Sequence, residues 1–350
     1  MVMAIIGAGP AGIITGLNLL KEGHNAVVYD RFGENAWKHA KCSGILSEKA
    51  LKEFQKIVPL KHIKTQTRLN VWFGNKKVEI TPKQHAYVID RHELDRLLVE
   101  KFISSGGKLI HKNITPQDVI HFSKQANPYI IGADGPVSTV AQTFNFPRFT
   151  HIFKTGQIFL DMPEDYDDSV NLFLDCKGLF GWSFPKKDKL EVGIATEKNP
   201  SKELKKLLKR LNLKYTNSPT YHIIPLGPRK KFAKTDNNTQ IFLVGDAAGH
   251  VKPTTGGGLF HSLIASNILT HTILNNNTPE YYEDMWRKKQ GLNFSTMRLI
   301  NRTINFIPDS LYPLAGSVFE TFKMNKFLAE KGDMEDTRFL NIHNLIDFIL

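Results

Sequence analysis

The run Gly7-Ala8-Gly9-Pro10-Ala11-Gly12 constrains the fold of this chain more than any other feature. It follows a short apolar segment, Val2 to Ile6, and opens a stretch in which Ile13, Leu17 and Leu20 recur at helical spacing. A second apolar run, Ala26 to Tyr29, closes on Asp30. Strand, glycine turn, helix, strand and acid within thirty residues make one βαβ unit with the G-x-G-x-x-G spacing of a dinucleotide site. In such a unit Gly7 makes the tight turn, Gly9 lets a pyrophosphate approach the backbone, and Gly12 admits close helix packing. The helix start offers free N–H groups and positive dipole to phosphates. Asp30 is placed to accept hydrogen bonds from ribose hydroxyls. A glycine turn without a ligand is the plain alternative.

A second constellation discriminates among dinucleotides. The buried-strand run Gln240 to Val244 leads into Gly245-Asp246-Ala247-Ala248-Gly249-His250, then Pro253, Thr254, Thr255 and Gly256-Gly257-Gly258, with a helix beginning near Gly258. A carboxylate at a strand end suits the hydroxyls of a ribityl chain. A glycine-rich helix start suits the pyrimidine edge of a flavin, where negative charge collects on reduction. NAD has neither group, so the pair of motifs points to FAD.

At 350 residues the chain is long enough for about two domains at ~150 residues each. Its 41% hydrophobic and 23% charged content describes a globular protein. No apolar run approaches the ~18 residues of a membrane span, and Met1 to Gly7 has no basic region or cleavage site of a signal peptide. Cys42 and Cys176, the two cysteines, fit a reducing cytoplasm better than a disulfide framework or a metal cluster. No metal site is expected. Leu69 to Ile80 and Phe149 to Ala195 carry aromatic and β-branched residues in period-two stretches and read as an antiparallel sheet. The expected fold class is α/β: a Rossmann-like FAD-binding domain interrupted by an antiparallel-sheet substrate domain, with C-terminal helices. The expected segments are 1–60, 85–147 and 226–280 for the first, 61–84 and 148–225 for the second, and 281–350 for the helical region.

With Asp90-Arg91-His92-Glu93-Leu94-Asp95-Arg96-Leu97-Leu98 and Gly132-Ala133-Asp134-Gly135-Pro136-Val137-Ser138 between them, the two glycine motifs resemble the FAD-dependent p-hydroxybenzoate hydroxylase fold. Within that fold the chain is most similar to the geranylgeranyl reductase family, including the digeranylgeranylglycerophospholipid reductases. Lys41-Cys42-Ser43-Gly44-Ile45-Leu46-Ser47 resembles the family's cysteine-containing flavin loop, and Phe180-Gly181-Trp182-Ser183-Phe184-Pro185 its (Y/F)-x-W-x-F-P substrate motif. The resemblance spans about residues 1 to 270. It implies FAD contacts at Ala11, Asp30, Cys42, Ser43, Arg91, Asp246, Gly258 and Leu259, beside Gly7, Gly9, Gly12, Gly44, Asp134 and Gly257 of the same motifs. It implies substrate contacts at Phe180, Trp182 and Phe184, whose alternation in a strand puts them on one face. That face could equally be plain core, and Cys42 equally a small buried hydrophobe rather than a thiol that acts beside the flavin. The implied activity is reduction of isoprenoid carbon–carbon double bonds by flavin hydride transfer plus protonation. No second glycine fingerprint marks a resident NAD(P), which leaves NAD(P)H or ferredoxin as the electron donor. A flavin monooxygenase or halogenase, or a non-catalytic flavin electron carrier, are the other readings of the same scaffold.

The formal charge of +12 implies an anionic partner or a solubilising excess of lysine. Lys202 to Lys214 places Leu204, Leu207, Leu208 and Leu211 on one helical face among Lys205, Lys206, Lys209 and Arg210. The two readings are a surface helix with its leucines in the core, or an interfacial helix resting on anionic lipid, a patch that Arg229, Lys230, Lys231 and Lys234 would extend. Peripheral membrane contact by a cytoplasmic protein follows from the second. Nucleic-acid binding is not expected, since no fold signature accompanies the basic residues.

Overall fold

The computed structural model describes residues 2–40, 42–125, 129–176, 178–340 and 344. Lys41, the first residue of the cysteine-containing segment, and 341–343 and 345–350 of the expected helical region lie outside the described residues.

The strand Val2–Ile6 lies inside a six-stranded sheet, where Ala4 pairs with Val27 on one side and Ile130 on the other. The order is 233–236, 239–243, 129–132, 2–6, 25–30, 108–111; all pairings are parallel except that of the edge strand 233–236. Both faces of a parallel sheet are covered by crossovers, and the strands accordingly read as continuous apolar runs, with Met3, Ile5, Val28, Ile130, Ile131 and Ile241 fully buried. The expected α/β class is what forms.

A second sheet has seven strands in the order 220–225, 152–161, 189–196, 180–186, 170–173, 69–73, 76–80. It is antiparallel apart from one pairing: Val170–Phe173 runs parallel to Leu69–Phe73. Period-two patterning reports which face is buried and is silent on strand direction; here a long-range crossover joins the 69–80 hairpin to the sheet. Three further strands, 45–47, 86–89 and 62–66, form a small antiparallel sheet, and the division expected between residues 84 and 85 falls inside it.

The helix Pro279–Phe306 opens with Thr278 accepting from the Tyr281 N–H and buries Tyr282, Trp286 and Phe294 in the core built on the six-stranded sheet. Helices Tyr312–Thr321 and Met324–Lys331 then cover the 69–80 hairpin, with Tyr312 buried among Val71, Phe73, Val78 and Ile80.

Of the two readings of the basic helix, the one with its leucines in the core is what forms. The helix runs Pro200–Arg210, and Leu204, Leu207 and Leu208 are almost wholly buried against Ile158, Val192 and Ile194 of the seven-stranded sheet. Burial of each leucine contributes about 2 kcal/mol, more than the ~1 kcal/mol a lysine gains near an anionic bilayer, so the apolar face is core and no longer available to lipid. Arg229 does not extend a patch either: it is buried, donating to the Ala247 and Pro147 carbonyls, and Lys234 reaches the Phe144 carbonyl.

Candidate functional site

The two glycine motifs meet where two helices pack side by side. Helix Pro10–Lys21 lies against helix Leu259–Leu274, with Thr15 Oγ1 donating to Ser266 Oγ at 3.0 Å and Ser266 Oγ to the Ala11 carbonyl at 3.1 Å. At the first turn Gly7 has φ +108°, and a Cβ there would lie 2.3 Å from the Ala133 carbonyl oxygen. A Cβ on Gly12 would lie 2.0 Å from the Gly7 carbonyl oxygen, whereas one on Gly9 would meet nothing within 4 Å. Gly7 and Gly12 are thus required by packing, and Gly9 faces open space that a ligand could occupy.

Among the described α-helices, those starting at Pro10, Leu259, Tyr312 and Met324 have no side-chain N-cap, and the first two of these stand side by side. The helices beginning at Glu48, Arg91, Pro116, Thr139, Pro200 and Pro279 are each closed by a side chain accepting from a first-turn N–H. The helices at Pro10 and Leu259, which follow Gly9 and Gly258, have no such cap. Their first N–H groups and dipoles are left for an acceptor from outside the chain, as a pyrophosphate and a flavin pyrimidine edge would provide.

Asp30 sits at the end of its strand, Oδ2 accepting from the Ala8 N–H at 2.9 Å and Oδ1 from the Phe32 N–H at 2.7 Å. Those bonds orient the carboxylate and leave lone pairs for ribose hydroxyls. Asp134 is turned inward: Oδ2 accepts from the Thr139 and Val140 N–H groups, while Oδ1 is buried without a partner. Burial raises its pKa. Its visible work is to hold the turn before helix Thr139–Thr143.

Arg91, Cys42 and Asp246 come together. Arg91 is buried and gripped by Asp95, Nη2 lying 3.0 and 3.1 Å from the two carboxylate oxygens, while its guanidinium also meets the Cys42 thiol. Burial opposes its charge, but Asp95 and Cys42 hold its pKa above the ordinary arginine value. Asp246 is crowded enough that burial raises its pKa, countered by Arg91. A Cβ on Gly258 would lie 3.3 Å from Asp246 Oδ1, so the glycine keeps the helix start close to the carboxylate. Ser43 and Gly44 complete the loop; Gly44 has φ +76°, and its carbonyl accepts from the Ile89 N–H. Gly257 lies over the Lys252 stem, and Leu259 is the first residue of its helix.

Above this loop lies the strand Phe180–Lys186. Trp182 and Phe184 are buried with Phe153, Leu226 and Val251, and Phe180 packs on them edge-on to Trp182, with ring centroids 6.0 Å apart. The three aromatics therefore share the face that their alternation predicts, and that face meets Ile45 of the cysteine loop and Val251 of the second glycine motif. Gly193, opposite Trp182 in the ladder, makes room for the indole: a Cβ there would come within 2.2 Å of it. Cys42, Arg91, Phe159 and Lys186 line a cavity of about 200 Å³.

Two networks escaped the sequence reading. Glu191, fully buried, accepts from Trp182 Nε1 at 3.2 Å and pairs with Lys186 Nζ at 3.5 Å; Lys186 also donates to the Ser43 carbonyl at 2.8 Å. A glutamate within a strand of apolar residues was the available signal. Beneath the Gly256-Gly257-Gly258 turn, Lys252 Nζ donates to Glu335 Oε2 at 2.9 Å, with His261 Nε2 3.5 Å from the same oxygen. Burial opposes ionisation of Glu335, yet Lys252 and His261 hold its pKa well below the usual carboxylate range. No spacing in the chain announces a contact between residues 252 and 335.

No protein-family model matches the chain. It is similar to the geranylgeranyl diphosphate reductase of Synechocystis sp., 24% identical over 86% of this chain and 84% of that one. It is similar to the digeranylgeranylglycerophospholipid reductase of Methanococcus vannielii, 24% identical over 88% and 90%. Among solved structures, a geranylgeranyl bacteriochlorophyll reductase-like protein of Thermoplasma acidophilum superposes with a TM-score of 0.72 at 14% identity, covering 100% of this chain and 96% of that one. A flavin-dependent brominase does so at 0.66 and 12%, covering 99% and 96%. Fold and relatives together define the class, an enzyme of the FAD-dependent oxidoreductase type. Within it, the relatives' names bear out the resemblance to geranylgeranyl reductases that the motifs carry.

Proposed function

We propose that this protein binds FAD and reduces carbon–carbon double bonds of isoprenoid chains. The observation that carries the reading is the pair of adjacent uncapped helix starts, at Gly9 and Gly258, flanked by Asp30, Asp246 and the pinned Arg91. Those residues fit the cofactor from pyrophosphate to flavin ring: Gly9 and Ala11 for the phosphates, Asp30 for the ribose, Asp246 for the ribityl chain, Gly257, Gly258 and Leu259 for the pyrimidine edge. Cys42, Ser43 and Gly44 cover the ring from the other side. The flavin-dependent structural neighbours support FAD.

FAD, bound and reduced, would supply a hydride. An isolated alkene has no carbonyl to take up electrons, so a proton must reach one alkene carbon as hydride reaches the more substituted one, and tertiary-cation character develops between. Trp182, Phe180 and Phe184 are the aromatic faces nearest the Cys42 loop that could stabilise that charge. Glu191 fixes the Trp182 indole by its N–H, and Lys186 ties the same strand to the Ser43 carbonyl, so the aromatic wall is tethered to the Cys42 loop. The Cys42 thiol, beside Arg91, delivers the proton. NAD(P)H or ferredoxin would supply the electrons.

Anaerobic reduction followed by addition of a geranylgeranyl lipid tests the reading. The flavin is expected to reoxidise while the lipid gains two hydrogens per reduced bond. A flavin that stays reduced until oxygen enters, with no lipid product, would transfer the assignment to a monooxygenase or an electron carrier.

The isoprenoid reading places the substrate in lipid, and we propose that the C-terminal helices rest on an anionic membrane. Leu292, Leu299 and Phe306 recur every seven residues on one face of the helix Pro279–Phe306 and are 74, 64 and 89% exposed. Lys288 and Arg302, also exposed, share that stripe, and Leu314, Val318 and Phe322 extend it on the next helix. Large apolar side chains alternating with cations suit a surface that is apolar below and anionic above. No helix among the described residues is long and apolar enough to cross a membrane.

A further inference from the structure

The residues that follow the helix Met324–Lys331 form a strap that passes beneath the second glycine motif. Glu335 and Thr337 of the strap are buried, and one side chain of the helix Pro279–Phe306 anchors them both. Asn293 donates to the Glu335 carbonyl at 2.9 Å and accepts from the Thr337 N–H and hydroxyl, each at 2.8 Å. From that anchor the Glu335 carboxylate reaches Lys252, and Met334 offers its carbonyl to the same ammonium at 2.7 Å. Both side chains of the ion pair are 5% exposed, so neither charge is solvated.

Lys252 in turn shapes the glycine-rich loop. Its N–H donates to the Gly257 carbonyl and its carbonyl accepts from the Gly256 N–H, each at 3.0 Å, which closes the loop on itself. Its side chain folds against the same loop: a Cβ on Gly257 would lie 2.9 Å from Lys252 Cε and 3.4 Å from Nζ. The three atoms nearest that position include the ammonium nitrogen and no carboxylate oxygen. The cation therefore faces the turn, and its counter-ion stands farther off.

Taking two charges out of water costs several kcal/mol, and a well-packed apolar pair of similar volume is often as stable or more so. Stability alone gives no reason for an ion pair here, whereas a turn that meets developing negative charge gains from a fixed cation beside it. Resting on the FAD reading above, we propose that Lys252 is a positioning residue for the cofactor, held by Glu335 so that its ammonium raises the flavin's reduction potential from beneath the 256–258 turn. Reduction places negative charge on the pyrimidine edge, and a cation nearer the turn than its counter-ion favours the reduced state over the oxidised one. The C-terminal strap is thereby part of the redox site, although it lies 83 residues along the chain from Lys252.

The test is the midpoint potential of the FAD-loaded full-length protein, read by dithionite reduction against a reference dye at a pH of about 6.5, well below the lysine range. Lys252→Met/Glu335→Leu replaces the pair by apolar side chains that pack without charge. It should lower the reduced-to-oxidised ratio about tenfold at a given potential, ~30 mV for a two-electron couple. Glu335→Gln leaves the ammonium uncompensated and should move the ratio a similar distance the other way. Loosened packing alone would shift both variants in one direction, so the opposite signs are what identify the charge. Titration of each apoprotein with oxidised FAD should give a Kd for the double variant within about threefold of the wild type, since the effect belongs to the reduced state. Equal potentials in the wild type and the double variant, or shifts of the same sign in both variants, overturn the proposal. If Glu335→Gln does not fold, the double variant decides alone. A wild-type protein that takes up no FAD overturns the cofactor reading and this role with it, whereas a yellow double variant with an unmoved potential removes only the role of Lys252.

Discussion

At the scale of single residues, the cofactor side of the site is organised in advance. Arg91 is already clamped by Asp95, so little side-chain entropy remains to be lost on meeting a ligand. Cys42, on the same guanidinium, is the residue whose role is most open to measurement. Cys42→Ala should keep the flavin spectrum and lower turnover by about 10²-fold, the usual contribution of a positioned acid. Turnover at the wild-type rate would pass the proton donation to water. His250 makes a different prediction. It is fully buried between Trp286, stacked at 4.7 Å, and the edge of Phe232, and burial holds its pKa well below the usual histidine value. The unfolded chain therefore binds the proton more readily. The stability due to the neutral ring is fully present above about pH 6.5 and is lost as pH falls below it, by up to ~1.4 kcal/mol per pH unit. Urea midpoints measured at pH 7 and pH 5 should fall less in His250→Phe than in the wild type; parallel losses would show that His250 is not the group that titrates.

At the scale of elements, two helix starts and one tail decide whether the cofactor site exists. Gly12→Ala pushes a Cβ into the Gly7 carbonyl oxygen at 2.0 Å, so the first turn of the helix must move off the sheet. The variant should purify without yellow colour and fail to take up FAD, while Gly9→Ala, with open space at its Cβ, should fold normally and lose affinity only. The tail after helix Met324–Lys331 returns beneath the second glycine turn, where Glu335 neutralises Lys252. Glu335→Gln leaves a buried ammonium without its counter-charge, at a cost of about 3 kcal/mol. A denaturation midpoint that does not move would mean that Lys252 finds water instead.

At the scale of the whole molecule, the parallel sheet carries the proposed cofactor site, the antiparallel sheet carries the aromatic wall, and the C-terminal helices pack over the 69–80 hairpin. The same helices display the apolar stripe around Leu299 and Phe306. Sedimentation with phosphatidylglycerol vesicles should carry the protein down at low salt and release it as salt is raised. Leu299→Ser/Phe306→Ser should abolish sedimentation without changing the flavin spectrum. If the double variant still sediments, the contact lies on another face.

The sequence by itself determined the βαβ unit, the FAD assignment, the face shared by Phe180, Trp182 and Phe184, and the likeness to geranylgeranyl reductases. Each of these is local: a glycine spacing, an apolar run or an alternation is complete within thirty residues, and its physical meaning does not wait for the rest of the chain. Tertiary structure decided everything that joins distant segments. It turned the leucines of the 200–210 helix into core, set Val170–Phe173 parallel to Leu69–Phe73, and brought Glu335 to Lys252. Charge and amphipathicity say that a surface exists, whereas which surface is covered depends on the packing of segments a hundred residues apart. The energy of that packing is long-range and leaves no periodic trace in the chain.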